Sequence, residues 1–368
     1  MQTFFELQEA AHRRTKTLLG LMVAAVLAVG ASIYLIAIFV IPSVRSGQFL
    51  EPQWYQPIPL ALSVSGTTLF VAIAGAIRMH TLRVGGSRVA KSLGGRLLRA
   101  ETQDSLETRL LNVVEEMAIA SGMQMPRVFV LDDEPGINAF AAGLTLDDAV
   151  ICVTRGCLEK LTRDELQGVV GHEFSHILNG DMRLNMHLMA AVFGLVCIAL
   201  LGRMLMEVDS GRRRDDDDDS SSKNGPSIAH IGLALWLVGS WGEFWGKVIK
   251  SAVSRQREFL ADASALQFTR NPQGIAGALK KIAGYGQHSV VRAARAEELS
   301  HFFFGDIRKR SFVERLFATH PTLLERIRRF EPSFSKQDML LISVSRLRRR
   351  SRQERPERYR GESHPGAS

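Results

Sequence analysis

From Thr17 to Val44 the chain carries no charged residue, and a second uncharged run lies between Glu51 and Arg78. A helix needs about 20 apolar residues to cross a bilayer, so each run is long enough, and together they predict a transmembrane hairpin over 17–78 behind a short segment 1–16. A signal peptide has a shorter apolar core and a small-residue cleavage site; this hairpin is expected to be retained. Trp54 and Tyr55 suit interfacial anchors. Arg13, Arg14 and Lys16 precede the first run, only Arg45 lies between the two, and Arg78, Arg83, Arg88, Lys91, Arg96 and Arg99 follow the second. The positive-inside rule puts both ends of such a hairpin, and the domain after it, on the cytoplasmic side.

Charge has to be read locally as well. The net +8 is concentrated in the C-terminal stretch Arg346–Arg360, where eight Arg against two Glu give +6. A solvated basic tail over 332–368 is expected there, suited to anionic lipid headgroups, and no nucleic-acid partner is inferred. The three cysteines, Cys152, Cys157 and Cys197, lack the number and spacing of a disulfide framework or zinc ribbon and fit a reducing compartment.

Between hairpin and tail, over 79–331, the pattern is that of a mixed α+β domain, mainly helical with a small sheet. Leu110, Leu111, Val114, Met117 and Ala118 recur at helical spacing within Glu107–Ala120, ahead of Gly122. Arg127–Leu131, Asn138–Gly143 and Ala149–Val153 are short β-type runs separated by Asp, Pro and Gly. Thr162 and Glu165 form a capping box ahead of Leu166, Val169 and Val170. Two further apolar runs, 184–202 and 224–242, flank a charged insert over 203–223 whose Arg212–Asp219 core has three Arg and five Asp. Both runs are near the lower limit for a span, and the insert is expected to be a solvated loop.

The capped helix carries His172-Glu173-Phe174-Ser175-His176, an HExxH motif. Residues four apart share a helix face, so His172 and His176 can direct imidazole nitrogens at one zinc ion, and Glu173 falls beside it as a general base. A catalytic zinc needs a third protein ligand. The candidates are His187 and Glu258, with Glu258 preferred: it shares a helix face with Asp262, so one carboxylate can bind metal while the other holds a ligand imidazole. Asp181 either steadies a ligand imidazole or ends the helix.

Asn138-Ala139-Phe140-Ala141, the segment His172–Asp181, Ser254–Asp262, and Thr319-His320-Pro321 with Leu324–Ile327 occur in an order that resembles the HtpX-like membrane zinc metallopeptidases, gluzincins related to the CaaX prenyl proteases. With the hairpin, the likeness runs to about residue 331. It implies a zincin-like fold, one Zn2+ with Glu258 as third ligand, Glu173 as catalytic base, and membrane or misfolded polypeptides as substrates in quality control at a bacterial inner membrane. It also makes His320 a candidate to hydrogen-bond the tetrahedral intermediate, where the bare sequence suits a helix N-cap. Asn138 is either a turn residue or a group holding a substrate amide at the edge of the sheet. The competing functions are a prenyl-protein protease, for which the chain has few spans, and a non-proteolytic membrane chaperone or scaffold, against which the intact motif speaks.

Overall fold

The computed structural model describes residues 4–40, 55–82, 85–215, 228–285, 316–339 and 341–342. The hairpin is built from α1 (Phe4–Leu35), prolonged by a π-helical turn at Ile36–Val40, and α2 (Pro57–Leu82). Helix α1 starts well before the uncharged run, so the stretch assigned to a separate segment 1–16 is helical from Phe4 onward. Arg45 and Trp54 lie outside the described residues; Tyr55 is exposed.

Helix α3 (Gly86–Ser92) leads into a four-stranded sheet of β1 (Arg96–Leu97), β2 (Arg127–Leu131), β3 (Ala139–Ala142) and β4 (Val150–Thr154), in the order β1-β2-β4-β3. The pair β2/β4 is parallel and the two outer pairs are antiparallel, which leaves β3 at an edge. Val128, Val130, Ala139, Ala141, Ile151 and Val153 face the main core, while Phe129, Leu131, Phe140 and Cys152 face Ala90 and Leu93. Burial on both faces explains why these strands read as continuous apolar runs rather than alternating ones.

The helix between β1 and β2 is α4 (Ser105–Ser121), with Asp104 Oδ1 accepting the Leu106 N–H at 2.8 Å and Gly122 ending it at φ +69°. After β4 come α5 (Arg155–Lys160) and α6 (Arg163–Leu178), then two long helices, α7 (Asp181–Asp215) and α8 (Ile228–Thr269), followed by α9 (Pro272–Tyr285) and α10 (Leu323–Phe330). Among the described residues three helices are long and apolar enough to cross a membrane, at Glu9–Phe39, Pro57–Thr81 and Asp181–Val208. The other apolar run, 224–242, enters α8 at Ile228; there Leu233, Leu237 and Trp241 are exposed.

Helices α7 and α8 pack closely because glycines meet backbone: a Cβ on Gly239 would collide with the Ala199 backbone, and one on Gly202 with Trp236 and Gly232. Close small-residue contact of this kind is how helices associate where no hydrophobic effect drives them together.

Two expectations are revised. The insert is not a loop from its start: α7 continues through the charged residues to Asp215, since Glu, Arg and Met extend a helix at low cost once it is nucleated; residues 216–227 lie outside the described set. Nor does the tail begin at 332, because Phe334 is buried in the main core, Lys280 pairs with Glu331 at 2.6 Å, and Asp338 caps Ser335. The Arg346–Arg360 stretch lies outside the described residues.

Candidate metal centre and cleft

Helix α6 starts at the capping box foreseen from sequence: the Glu165 N–H donates to Thr162 Oγ1 at 3.3 Å and the Thr162 N–H to Glu165 Oε2 at 2.7 Å. Its buried face then carries His172, Glu173 and His176 into the space between β3 and α8.

His172, His176 and Glu258 form a group whose ligand atoms all lie within 4.8 Å of one another. The two Nε2 atoms are 3.0 Å apart, His172 Nε2 is 3.5 Å from Glu258 Oε2, and His176 Nε2 is 3.5 Å from Glu258 Oε1. A tetrahedral ion with ligands at about 2.0–2.1 Å sets its ligand atoms about 3.3 Å apart, so this triangle is of the right size. Glu258 Oε2 is buried with no hydrogen-bond partner, which an ion would relieve. The residues therefore fit a zinc ion. His187 is exposed on α7, its Nδ1 bonded to the Arg183 carbonyl, and is not in the group.

Each imidazole is held from behind by its other nitrogen. His172 Nδ1 meets Asp262 Oδ1 at 3.0 Å, and His176 Nδ1 meets Asp181 Oδ2 at 2.8 Å. Each carboxylate is itself held by an arginine. Arg326, on α10, donates Nε and Nη2 to Asp262 at 2.9 and 2.6 Å; Arg257, on α8, is bonded to Asp181 and donates Nη2 to the Asn179 carbonyl at 3.0 Å. Such partners fix the tautomer and ring orientation of ligating histidines.

Burial pushes the Glu258 carboxyl up, but His320, His172 and His176 beside it outweigh that and hold it well below the usual range. Asp262 is likewise held down against its burial, with Arg326 the largest counterweight. Glu173 goes the other way: it is 1% exposed, and desolvation raises its pKa despite the two histidines. Ala141, on edge strand β3, lines the cleft beside it.

Beside the ligand atoms a cleft is lined by Ala141, Glu173, Asn185, Val253, Glu258 and His320, among others. His320 sits over Glu258, Nδ1 to Oε2 at 3.1 Å, and neither ring nitrogen makes a hydrogen bond. The strap carrying it is tied to α8 by Ser251 Oγ to the Phe317 carbonyl at 3.0 Å and Arg255 Nη1 to the Ala318 carbonyl at 2.7 Å.

His320 is not the cap of α10. That role belongs to Thr322, which forms a second capping box with Glu325. Asn138 lies outside the cleft lining and is 2% exposed, with Oδ1 accepting the Ala139 N–H at 3.0 Å. Its backbone carbonyl accepts the Thr154 N–H at 3.0 Å, so it extends the β3/β4 pairing, and it is Ala141 that reaches the cleft. The roles of Arg326 and Arg257 escape sequence reasoning, since a buried arginine and a surface arginine look alike in a one-dimensional pattern.

Residues 104–332 match the model of peptidase family M48. The protease HtpX homologue of Streptococcus thermophilus is 37% identical over 268 residues, covering 72% of this chain and 86% of that protein. The homologue from Caldanaerobacter subterraneus subsp. tengcongensis is 41% identical over 225 residues, 60% of this chain and 71% of that one. The crystal structure of S. mikatae Ste24p superposes with a TM-score of 0.44 at 19% identity, covering 74% of this chain and 64% of the other. A family match running from the cap of α4 past α10, on a chain whose described residues include three apolar helices of membrane-spanning length and an HExxH helix, means that the protein belongs to peptidase family M48 and is a membrane metalloprotease.

Proposed function

We propose that the chain is a zinc endopeptidase of membrane protein quality control, holding one Zn2+ through His172, His176 and Glu258. The observation that carries this reading is the ligand triangle with both Nδ1 atoms braced by carboxylates. A bound zinc ion would supply Lewis acidity to the scissile carbonyl and acidify the attacking water. Glu173, buried and with a raised pKa, takes the proton of that water and returns it to the leaving amine. His320, whose Nδ1 faces Glu258 Oε2 at 3.1 Å and whose Nε2 has no hydrogen-bond partner in the protein, donates to the developing oxyanion. Asp262 and Asp181 keep the ligand imidazoles in the metal-binding tautomer. The substrates are misfolded or membrane polypeptides, for which a cleft adjoining apolar helices is suited.

By the positive-inside distribution, the domain over 79–331 faces the cytoplasm at a bacterial inner membrane. An impermeant maleimide should then label Lys336→Cys, an exposed position, in inverted but not right-side-out vesicles; the opposite result reverses the orientation. For the chemistry, detergent-purified wild type and Glu173→Ala are compared for zinc content and β-casein cleavage. The variant is expected to keep its zinc and lose cleavage. Equal cleavage by both would reject Glu173 as the base, and zinc-free wild type incapable of reconstitution would reject the site.

A further inference from the structure

Three groups lining the cleft contain buried side-chain polar atoms with no hydrogen-bond partner: Glu258, His320 and Asn185. The first two belong to the chemistry already described. Asn185 does not. Its Oδ1 is buried and unpartnered, and it stands on α7 between Met182 and Leu188, which are buried, with Val253 also lining the cleft. It is four residues beyond Asp181, the residue that braces His176, so the two share a helix face about 6 Å apart along the axis. A polar side chain at the start of a membrane-length apolar helix is costly to keep and marks function by default, and a buried amide oxygen without a donor calls for one.

We infer that Asn185 is a substrate-binding residue, its Oδ1 accepting a main-chain N–H of the polypeptide lying in the cleft. A main-chain group is the natural donor, since the neighbouring Met182, Leu188 and Val253 offer apolar contact to side chains but no acceptor of their own. This inference rests on the proteolytic reading of the cleft.

The test uses the full-length, zinc-loaded protein in detergent. A β-casein bond that wild type cleaves is rebuilt as a quenched peptide, with N-methyl groups placed singly on the amides within two residues of the bond. Asn185→Ala and Asn185→Leu should each lower kcat/KM on the unmodified peptide about tenfold, the worth of one hydrogen bond. Zinc stoichiometry should be unchanged and melting temperature equal or higher, because an unsatisfied amide has been removed. One N-methylated position should cost wild type about tenfold and cost the variants nothing further. Wild-type kcat/KM in Asn185→Ala, additive losses at every methylated position, or a lowered melting temperature with a structural amide's profile would each overturn the assignment. Failure of the proteolytic reading looks different: wild type would then cleave β-casein no better than Glu173→Ala.

Discussion

The pair Arg326–Asp262 tests how far the metal centre depends on groups that never touch the metal. Both side chains are 1% exposed, and the guanidinium contacts the carboxylate through two nitrogens, at 2.9 and 2.6 Å. Arg326→Ala leaves Asp262 buried with only His172 Nδ1 at 3.0 Å to balance it. Breaking one side of a buried pair costs about 3–5 kcal/mol. For a domain of this size each kcal/mol is about 2–4 °C, so the apoprotein should melt roughly 6–20 °C below wild type. The same change loosens the brace on His172 and should weaken zinc by about 10–100-fold.

Melting curves with and without excess zinc, together with a zinc titration against a chelating dye, separate the two effects. The double variant Arg326→Met/Asp262→Leu should recover much of the melting temperature, because no unpaired charge remains, while its zinc affinity stays weak because His172 has lost its acceptor. An apoprotein of Arg326→Ala that melts within 2 °C of wild type would refute the energetic argument. Recovery of zinc affinity in the double variant would refute the bracing one.

Other outcomes follow from single contacts. His320→Ala should lose about 10²–10³ in kcat while keeping zinc, whereas Thr322→Ala should cost about 1 kcal/mol of stability and little activity; a reversed pattern in kcat and melting temperature would return His320 to a structural role. Gly239→Val drives a side chain into the Ala199 backbone and should lower melting temperature and zinc affinity together, because α8 also carries Glu258; unchanged zinc binding would show that the bundle and the site are uncoupled. The Arg96 and Thr102 side chains hold the Glu107 carboxyl below its usual 4.5. Their stabilisation is therefore complete above about pH 4.5 and lost as pH falls through the lower folded-state value, so Arg96→Ala should flatten the acid limb of a stability–pH curve measured by denaturant unfolding.

What the sequence made legible was whatever a local pattern encodes. The strands β2, β3 and β4 fall within a residue or so of the apolar runs bounded by Asp and Gly, and the start of α6 is spelled by Thr162 and Glu165. The histidine pair needed only helical periodicity, and Glu258 came from its spacing to Asp262. The two-residue β1 and the six-residue α5 were invisible, since neither is long enough to show a period. Assignment of the two braces to particular histidines, Asp262 to His172 and Asp181 to His176, also lay beyond the sequence, because it depends on how α8 crosses α6. For His320 the sequence leaves a cap and a catalytic role open, because Pro321 after it mimics a helix start; the cap, Thr322, sits two residues on and is recognisable by its own T-x-x-E spacing. Helix α7 outran its apolar run because helix termination needs a stop signal, and charge by itself is not one.

The placement of the braces has a mechanical consequence. Asp181 is the first residue of α7, whose next 28-residue stretch, Asp181–Val208, is of membrane-spanning length. Glu258, Arg257 and Asp262 belong to α8, which packs along α7 through Gly202, Gly232 and Gly239. The support of one imidazole therefore begins a candidate membrane helix, and the third ligand rides on its neighbour. His172 and His176 are fixed to the sheet-and-helix core through α6, so the ligand triangle is closed by bringing two bodies into register, that core and the apolar bundle. Any change in bundle packing that slides α8 against α6 alters the Glu258–His distances of 3.5 Å directly. A soluble version cut free of α1, α2 and the apolar half of α7 would keep the HExxH helix and lose the register of Glu258. Such a truncation should accordingly show helical folding of its core with zinc affinity weakened well beyond the tenfold expected of one misplaced brace, and wild-type affinity in it would show that the core alone sets the triangle.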